Sequence, residues 1–369
     1  MKALTIARAQ AFRLRLPLAK PVRMAGVLLE NSECLVVRLE SKEGLVGWGE
    51  ANAAPSHGGA SLPEMAQAFD SVIGPALVGQ DALRLSALQA ELEKDLTVGG
   101  TAWSAVDMAL HDLVGQALSV PVHVLLGGQR RETISALWLV GTGDHAGDLA
   151  QAQRLFAEGY RFFKLKVGVR PVDQEIALAL DLRRTLGDAV RLCADANMGM
   201  EAQQAITYAQ GVRPARLDFL EQPLRREDRA GLRRLVAEGG LAIGLDESVV
   251  SVQDLLDHVP DGIRGASLKT LKLGGVSGLA SAAQVGAALG LRLNLAGKIA
   301  ETGIASAALL HLAAVVPNVD WGVSPSQLFL AEDIVRAPLR PQHGAYRVPQ
   351  GPGLGIQVDE EQLRRWSIH

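Results

Sequence analysis

The chain has 369 residues, with 37 Lys+Arg against 40 Asp+Glu for a net charge of −3, and 48% of its residues are hydrophobic. This balance excludes disorder, and it excludes the uncompensated basic surface that a nucleic-acid or anionic-membrane partner requires. Two cysteines far apart, Cys34 and Cys193, exclude a disulfide framework and a thiolate metal site, so a reducing cytoplasm is the expected setting.

The first 24 residues interrupt every apolar run with Arg or Lys, which rules out a signal-peptide core and predicts a strand. Alternating segments Cys34–Leu39 and Leu45–Gly49, joined by the turn-rich Glu40–Gly44, predict an antiparallel hairpin. Helices are predicted over Leu62–Val78, Asp81–Asp95 and Ala102–Leu118. The last places Ala105, Met108, Ala109, Leu113 and Ala117 at helical spacing and stops before Pro121. Residues 1–125 thus read as an α+β domain.

From Ile134 the rhythm changes. Short apolar runs beginning at Ile134, Arg161, Val190, Arg216, Leu241, Arg264, Leu291 and Pro317 recur every 23 to 29 residues with amphipathic stretches between them. Eight right-handed βα units close into an α/β fold, a (β/α)8 TIM barrel, here over residues 126–327. The Ala305–Val316 stretch is too short to span a bilayer, so no membrane segment is expected. The proline-containing remainder, 328–369, is expected to return to the first domain.

Catalytic groups of such a barrel stand at the C-terminal ends of its strands. Strand two ends in Lys164-Leu-Lys166, strand three in Asp195-Ala-Asn197, strand four in Glu221-Gln-Pro223, strand five in Asp246-Glu247 and strand six in Lys269. A single acidic residue at such a junction usually caps a helix. Three of them, one structural repeat apart, converge at one height and form an all-oxygen donor set that selects a hard cation, Mg²⁺ or Mn²⁺. Lys164 and Lys166, two apart, face the same way, and a cationic neighbour lowers the pKa of Lys166 toward that of a neutral base. Lys269, four strands on, approaches from the other side.

The succession KLK, DAN, EQP, DES and SLKTLKLGG resembles the enolase superfamily, specifically its muconate-lactonizing and dipeptide-epimerase branch. Ser104–Asp112 through Leu125-Leu-Gly-Gly128 resembles that family's entry into its barrel. The resemblance implies that Asp195, Glu221 and Asp246 bind Mg²⁺, that Lys166 and Lys269 are the acid/base pair, and that Lys164 supports Lys166. Asn197 and Glu247 would stand behind the ligands. Glu301 resembles a polar position after strand seven in muconate-lactonizing relatives. The segment Leu295–Glu301 has no histidine, against the mandelate racemase branch, and the strand-two K-x-K is foreign to enolase proper. Strand eight offers Asp320 with Gly322 two residues on, which departs from the Asp-x-Asp of dipeptide epimerases.

Such a site abstracts the proton α to a metal-bound carboxylate and stabilises an enediolate. Two opposed lysines favour proton transfer between faces, hence a racemase or epimerase acting on a small carboxylate such as an amino-acid derivative. The alternatives are a muconate-type cycloisomerase, a syn-dehydratase, or a barrel retained as a binding protein. A metal-dependent hydrolase would bring His-x-His to strand one, and Ile134–Leu139 has none. The expected partner is a small carboxylate, with neither nucleic acid nor membrane involved, and the family implies a homo-oligomer. The substrate-binding candidates are Arg23 and His57 in cap loops, Lys298 after strand seven, and Trp321 as an aromatic wall; Trp138 is read as core.

Overall fold

The computed structural model describes residues 3–24, 27–55, 59–92, 99–141 and 143–368. The chain opens with a three-stranded antiparallel meander: β1 (Ile6–Met24), β2 (Val27–Ser41) and β3 (Val46–Asn52). One face of this sheet packs on the Gly99–Leu118 helix, and the approach is close enough to demand glycine. A Cβ on Gly49 would lie 1.9 Å from the Ala105 carbonyl oxygen, and one on Gly47 2.3 Å from that of Ala109. The predicted Leu62–Val78 helix forms as a run interrupted by a π-turn at Phe69–Ile73, and the Asp81–Asp95 helix is observed over Leu85–Leu92.

After β4 (Thr133–Ser135) come eight parallel strands: β5 (Leu137–Val140), β6 (Phe162–Lys166), β7 (Arg191–Asp195), β8 (Leu220–Glu221), β9 (Ile243–Leu245), β10 (Gly265–Leu268), β11 (Arg292–Ala296) and β12 (Val323–Ser324). A bridge between Ala136 and Val323 joins the two ends into a barrel. β13 (Ala345–Arg347) pairs antiparallel with β4 outside it. The first predicted strand window therefore divides, Ile134 facing Tyr346 and Leu137 opening the barrel. The eighth window, Pro317–Gly322, ends just before the strand. There Trp321 drops into the barrel floor, and Gly322, at φ +91°, turns the chain where a Cβ would lie 2.9 Å from Phe162.

Side chains alternate along each strand, so inward positions stack in layers. Leu137, Phe162, Cys193, Phe219 and Trp321 form the floor, with the Phe219 and Trp321 rings stacked 4.0 Å apart. Two residues further along β6, β7 and β8 stand Lys164, Asp195 and Glu221, which places the charged layer on an apolar plug. Both cysteines are buried and unbridged. Among the described residues no helix is long and apolar enough to cross a membrane; the Gly303–Val315 helix is apolar because it is buried.

Three buried carboxylates tie the meander, its helix and the barrel together. Asp112 accepts from Trp48 N and Leu354 N, both at 2.8 Å, and Asp107 accepts from Ser277 N and Oγ. Glu50, on β3, accepts from Thr302 N at 2.9 Å, Thr302 Oγ1 at 2.5 Å and Ala305 N at 3.2 Å, at the start of the Gly303–Val315 helix. The C-terminal segment closes back on β1, where Ile368 N donates to Arg13 O and Arg15 N to Trp366 O.

Burial raises the Glu50 carboxyl from 4.5 to about 7, against the hydrogen bonds from Thr302 and Ala305 that lower it. The folded chain thus binds a proton more tightly than the unfolded one, and stability falls as pH rises through that window. Denaturant titrations of the wild type and Glu50→Gln at pH 5 and pH 8 should show the wild type losing, relative to the variant, up to about 3 kcal/mol at ~1.4 kcal/mol per pH unit. A gap between the two proteins that is independent of pH refutes this.

Candidate functional site

A pocket opens at the C-terminal mouth of the barrel, lined by Lys164, Lys166, Asp195, Asn197, Glu221, Asp246, Glu247, Lys269, Lys272 and Lys298 together with Ala54 of the meander and apolar groups from β5 and the segment after β12. Strand register sets the charged wall. Lys166 pairs with Asp195, Asp195 with Glu221, and Glu221 with Gly244, two residues before Asp246. Lys269 directly follows β10, four places from β6 in the strand order.

Asp195, Glu221 and Asp246 are each held by an ammonium. Lys166 Nζ donates to Asp195 Oδ2 and Asn197 Oδ1, each at 2.5 Å, and Lys164 Nζ to Glu221 Oε2 and, at 3.2 Å, to Asn294 Oδ1. Lys269 Nζ and Lys272 Nζ share Asp246, reaching its two carboxylate oxygens at 2.6 Å each. Asn197 Nδ2 donates to Glu247 Oε1 at 3.0 Å. Pairs this deeply buried persist because each charge has a partner; removing one strands the other.

The electrostatics follow the pairing. Burial raises the Asp195 carboxyl, but Lys166 and Lys164 more than reverse that and leave it below the usual range. For Asp246 burial is likewise overridden, by Lys269 and Lys272, and the group is held far below its ordinary value. Glu221 goes the other way, because burial and repulsion from Asp195 and Asp246 outweigh Lys164. Burial alone would lower Lys164 and Lys269; Glu221 and Asp195 hold the first as an ammonium, and Asp246 and Glu247 the second. Lys164 thus sits on the floor as the partner of Glu221.

Asp195, Glu221 and Asp246 supply only oxygen donors, all buried and on adjacent strands, and this donor chemistry fits Mg²⁺ or Mn²⁺. As the side chains stand, no three acidic, imidazole or thiolate groups among the described residues close on a common centre. The ammonium groups occupy oxygens that a cation would use.

Of the other candidates, Lys298 lines the pocket. Glu301 does not line it but stands behind that lysine, its Oε1 accepting from Lys298 N at 2.9 Å. Burial and repulsion from Glu50 push Glu301 up to about 8. Trp321 is corrected: fully buried in the floor against Phe219, it is out of reach of the pocket. Trp138 takes the wall position instead, stacked on Phe329 with ring centres 5.7 Å apart. His57 lies outside the described residues; Arg23 is next to last in β1, with its side chain outside the described part.

Two residues escaped the sequence reading. Lys272 is three positions beyond Lys269 on one helical turn, a spacing that brings both to one carboxylate. Gln222, at φ +34°, accepts from Asp246 N and Ser248 N, both at 3.0 Å, and donates to Leu224 O and Ser248 Oγ, which fixes the loop carrying Asp246. The Glu-Gln-Pro motif was its signal.

Comparison with known proteins gives one consistent picture. The mandelate racemase / muconate lactonizing enzyme N-terminal domain matches residues 7–127, and the enolase C-terminal domain-like family matches residues 148–362. Muconate cycloisomerase 1 of Pseudomonas putida is 33% identical over 353 residues, 94% of each chain. The chloromuconate cycloisomerase of Cupriavidus pinatubonensis is 30% identical over 359 residues, 95% of this chain and 96% of that one. The muconate lactonizing enzyme of Pseudomonas fluorescens, crystallised with muconolactone, superposes over 100% of both chains with a TM-score of 0.94 at 30% identity.

A cation taken up by the three carboxylates would stabilise the folded state by mass action. Chelator-treated protein should gain thermal stability as Mg²⁺ is added, by about 2.7 kcal/mol at a hundredfold excess over Kd, and Asp246→Asn should abolish the gain. An unchanged melting curve in the wild type would count against the site.

Proposed function

Because the chain belongs to the mandelate racemase/muconate lactonizing enzyme family of the enolase superfamily, we propose that it is a cycloisomerase of the muconate type. It closes an unsaturated dicarboxylate into a lactone by way of proton transfer at the carbon α to one carboxylate. The observation that carries this reading is a pair of lysines, Lys166 and Lys269, on strands four places apart around the barrel and flanking Asp195, Glu221 and Asp246. Among the outcomes such a pair permits, the named relatives favour one. Two-face proton transfer, the reaction the sequence alone favours, has no support among them; the cycloisomerase alternative does.

Asp195, Glu221 and Asp246 would hold the divalent ion, which supplies Lewis-acid stabilisation of charge on the substrate carboxylate. The remaining work falls to the chain itself. When the far carboxylate oxygen adds to the carbon β to the bound carboxylate, the π electrons shift toward the α-carbon, and a lysine ammonium delivers the proton that completes the isomer. The dianion takes up that one proton, which the lysine regains from solvent, and becomes the lactone monoanion. Lys166 and Lys269 command opposite faces of the α-carbon, one donating the proton and the other offering positive charge. Lys164 keeps Glu221 paired at the floor. Asn197 aligns Lys166, and Gln222 fixes the loop of Asp246. The apolar plug and the wall of Trp138 and Phe329 keep the site dry, which strengthens each electrostatic contact.

With Mg²⁺ and cis,cis-muconate, the wild type should consume the conjugated diene and yield a lactone carrying one solvent deuterium α to its carboxylate. Lys166→Ala and Lys269→Ala should each lower kcat by roughly a hundredfold or more. Lactone-free incubations, together with α-proton exchange into N-acyl amino acids, would return the assignment to a racemase.

A further inference from the structure

The pocket has a second wall, built from β5, the end of β11, and β12 with the segment after it, and its polar groups behave unlike those of the carboxylate wall. Five lysines line the cavity against four acidic residues, Asp195, Glu221, Asp246 and Glu247. Lys164, Lys166, Lys269 and Lys272 each bond to a carboxylate. Lys298 has no hydrogen bond or ion pair from its ammonium among the described residues, although it is only partly exposed. From the adjoining strand, Ser324 also lines the pocket, and its buried Oγ has no partner beside it among the described residues. Leaving donors unpaired in a cavity costs free energy unless a ligand supplies the acceptor.

The backbone that carries this lysine is fixed independently of its charge. Lys298 N donates to Glu301 Oε1 at 2.9 Å, and Lys298 O accepts from Ser326 Oγ at 2.5 Å. Two residues on, Ala300 is held at φ +61°, a strained conformation for a residue with a side chain. The loop is thus clamped on both sides of the lysine while its ammonium stays available. Burial lowers the Lys298 pKa and Glu301 only partly offsets this, as expected of a cation waiting for an anion.

We propose that Lys298 Nζ, assisted by Ser324 Oγ, binds the second carboxylate of a dicarboxylate substrate whose first carboxylate lies at the Asp195–Glu221–Asp246 wall. The identity of that second group rests on the cycloisomerase reading. In that reaction the second carboxylate is the nucleophile. One oxygen held at Lys298 leaves the other to form the new C–O bond, as the π electrons move toward the α-carbon and a lysine proton arrives there.

The test uses the Mg²⁺-loaded protein and two unreactive probes of equal length, adipate with two carboxylates and hexanoate with one. By calorimetry the wild type should bind adipate roughly ten- to a hundredfold more tightly. Lys298→Met should erase that preference while leaving hexanoate within about twofold, and Lys298→Arg should keep part of it. With muconate, Lys298→Met should raise KM by a similar factor and lower kcat less. Because Lys298 bonds through its backbone alone, the Met variant should keep the wild-type melting temperature. An adipate preference that survives in Lys298→Met, or an equal loss for both probes, overturns the proposal. If the wild type does not lactonize muconate but its adipate preference depends on Lys298, the cycloisomerase reading fails and the second-anion site stands. If muconate is lactonized and Lys298→Met changes neither KM nor the preference, the reverse holds.

Discussion

Taking charges out of water at the mouth of a barrel costs several kcal/mol per ion, and only close pairing offsets it. The site meets this constraint through strand register. Lys166 and Asp195 are register partners, Lys164 reaches Glu221 from two strands away, and the turn after β10 brings Lys269 and Lys272 to Asp246. The oxygens that satisfy the lysines are also the donors a divalent cation would take. At Asp195 Oδ2 and Asp246 Oδ2, holding an ammonium and holding a metal are competing uses of one atom, and the availability of Lys166 and Lys269 is tied to which of them prevails.

Positioning this wall to within hydrogen-bond tolerance requires that nothing beneath or above it move. Beneath, the stacked Phe219 and Trp321 fill the floor, and Gly322 lets the chain turn over them. Above, the meander is held by carboxylates rather than by apolar area alone: Glu50 on the start of the Gly303–Val315 helix, Asp112 between Trp48 and Leu354, Asp107 on Ser277. Asp107 and Asp112 belong to the Ser104–Asp112 segment that resembles the family's entry into its barrel. Their contacts give that motif a physical purpose, the fastening of one layer to the next, and explain why it carries charge in a buried helix.

Much of this was legible in the chain because period and spacing are local properties. The K-x-K on strand two and the 26- and 25-residue steps from Asp195 to Glu221 to Asp246 follow from one βα unit per repeat, and the barrel preserves them. What escaped depends on packing. Trp138 stands in an apolar run and Trp321 between Asp320 and Gly322, yet the first faces the pocket and the second falls into the floor; the depth of each strand decides, and the eighth strand starts beyond the run that announces it. Lys272 is not announced by strand spacing because it lies on the helical turn after β10, where it joins Lys269 on Asp246. Glu301 turns toward the Lys298 amide rather than the cavity, next to a left-handed turn at Ala300 that no composition rule anticipates.

The two walls of the pocket therefore do different physical work. On the carboxylate wall every ammonium is paired with a carboxylate of the protein. Opposite it, Lys298 is held by its amide and carbonyl, so its side chain contributes nothing to holding the loop and its charge is left for whatever enters. A lysine fixed in this way can be exchanged for another residue without disturbing Asp195, Glu221 or Asp246. Such a separation of the paired wall from an unpaired lysine would let a barrel of this kind change what it binds while keeping how it reacts.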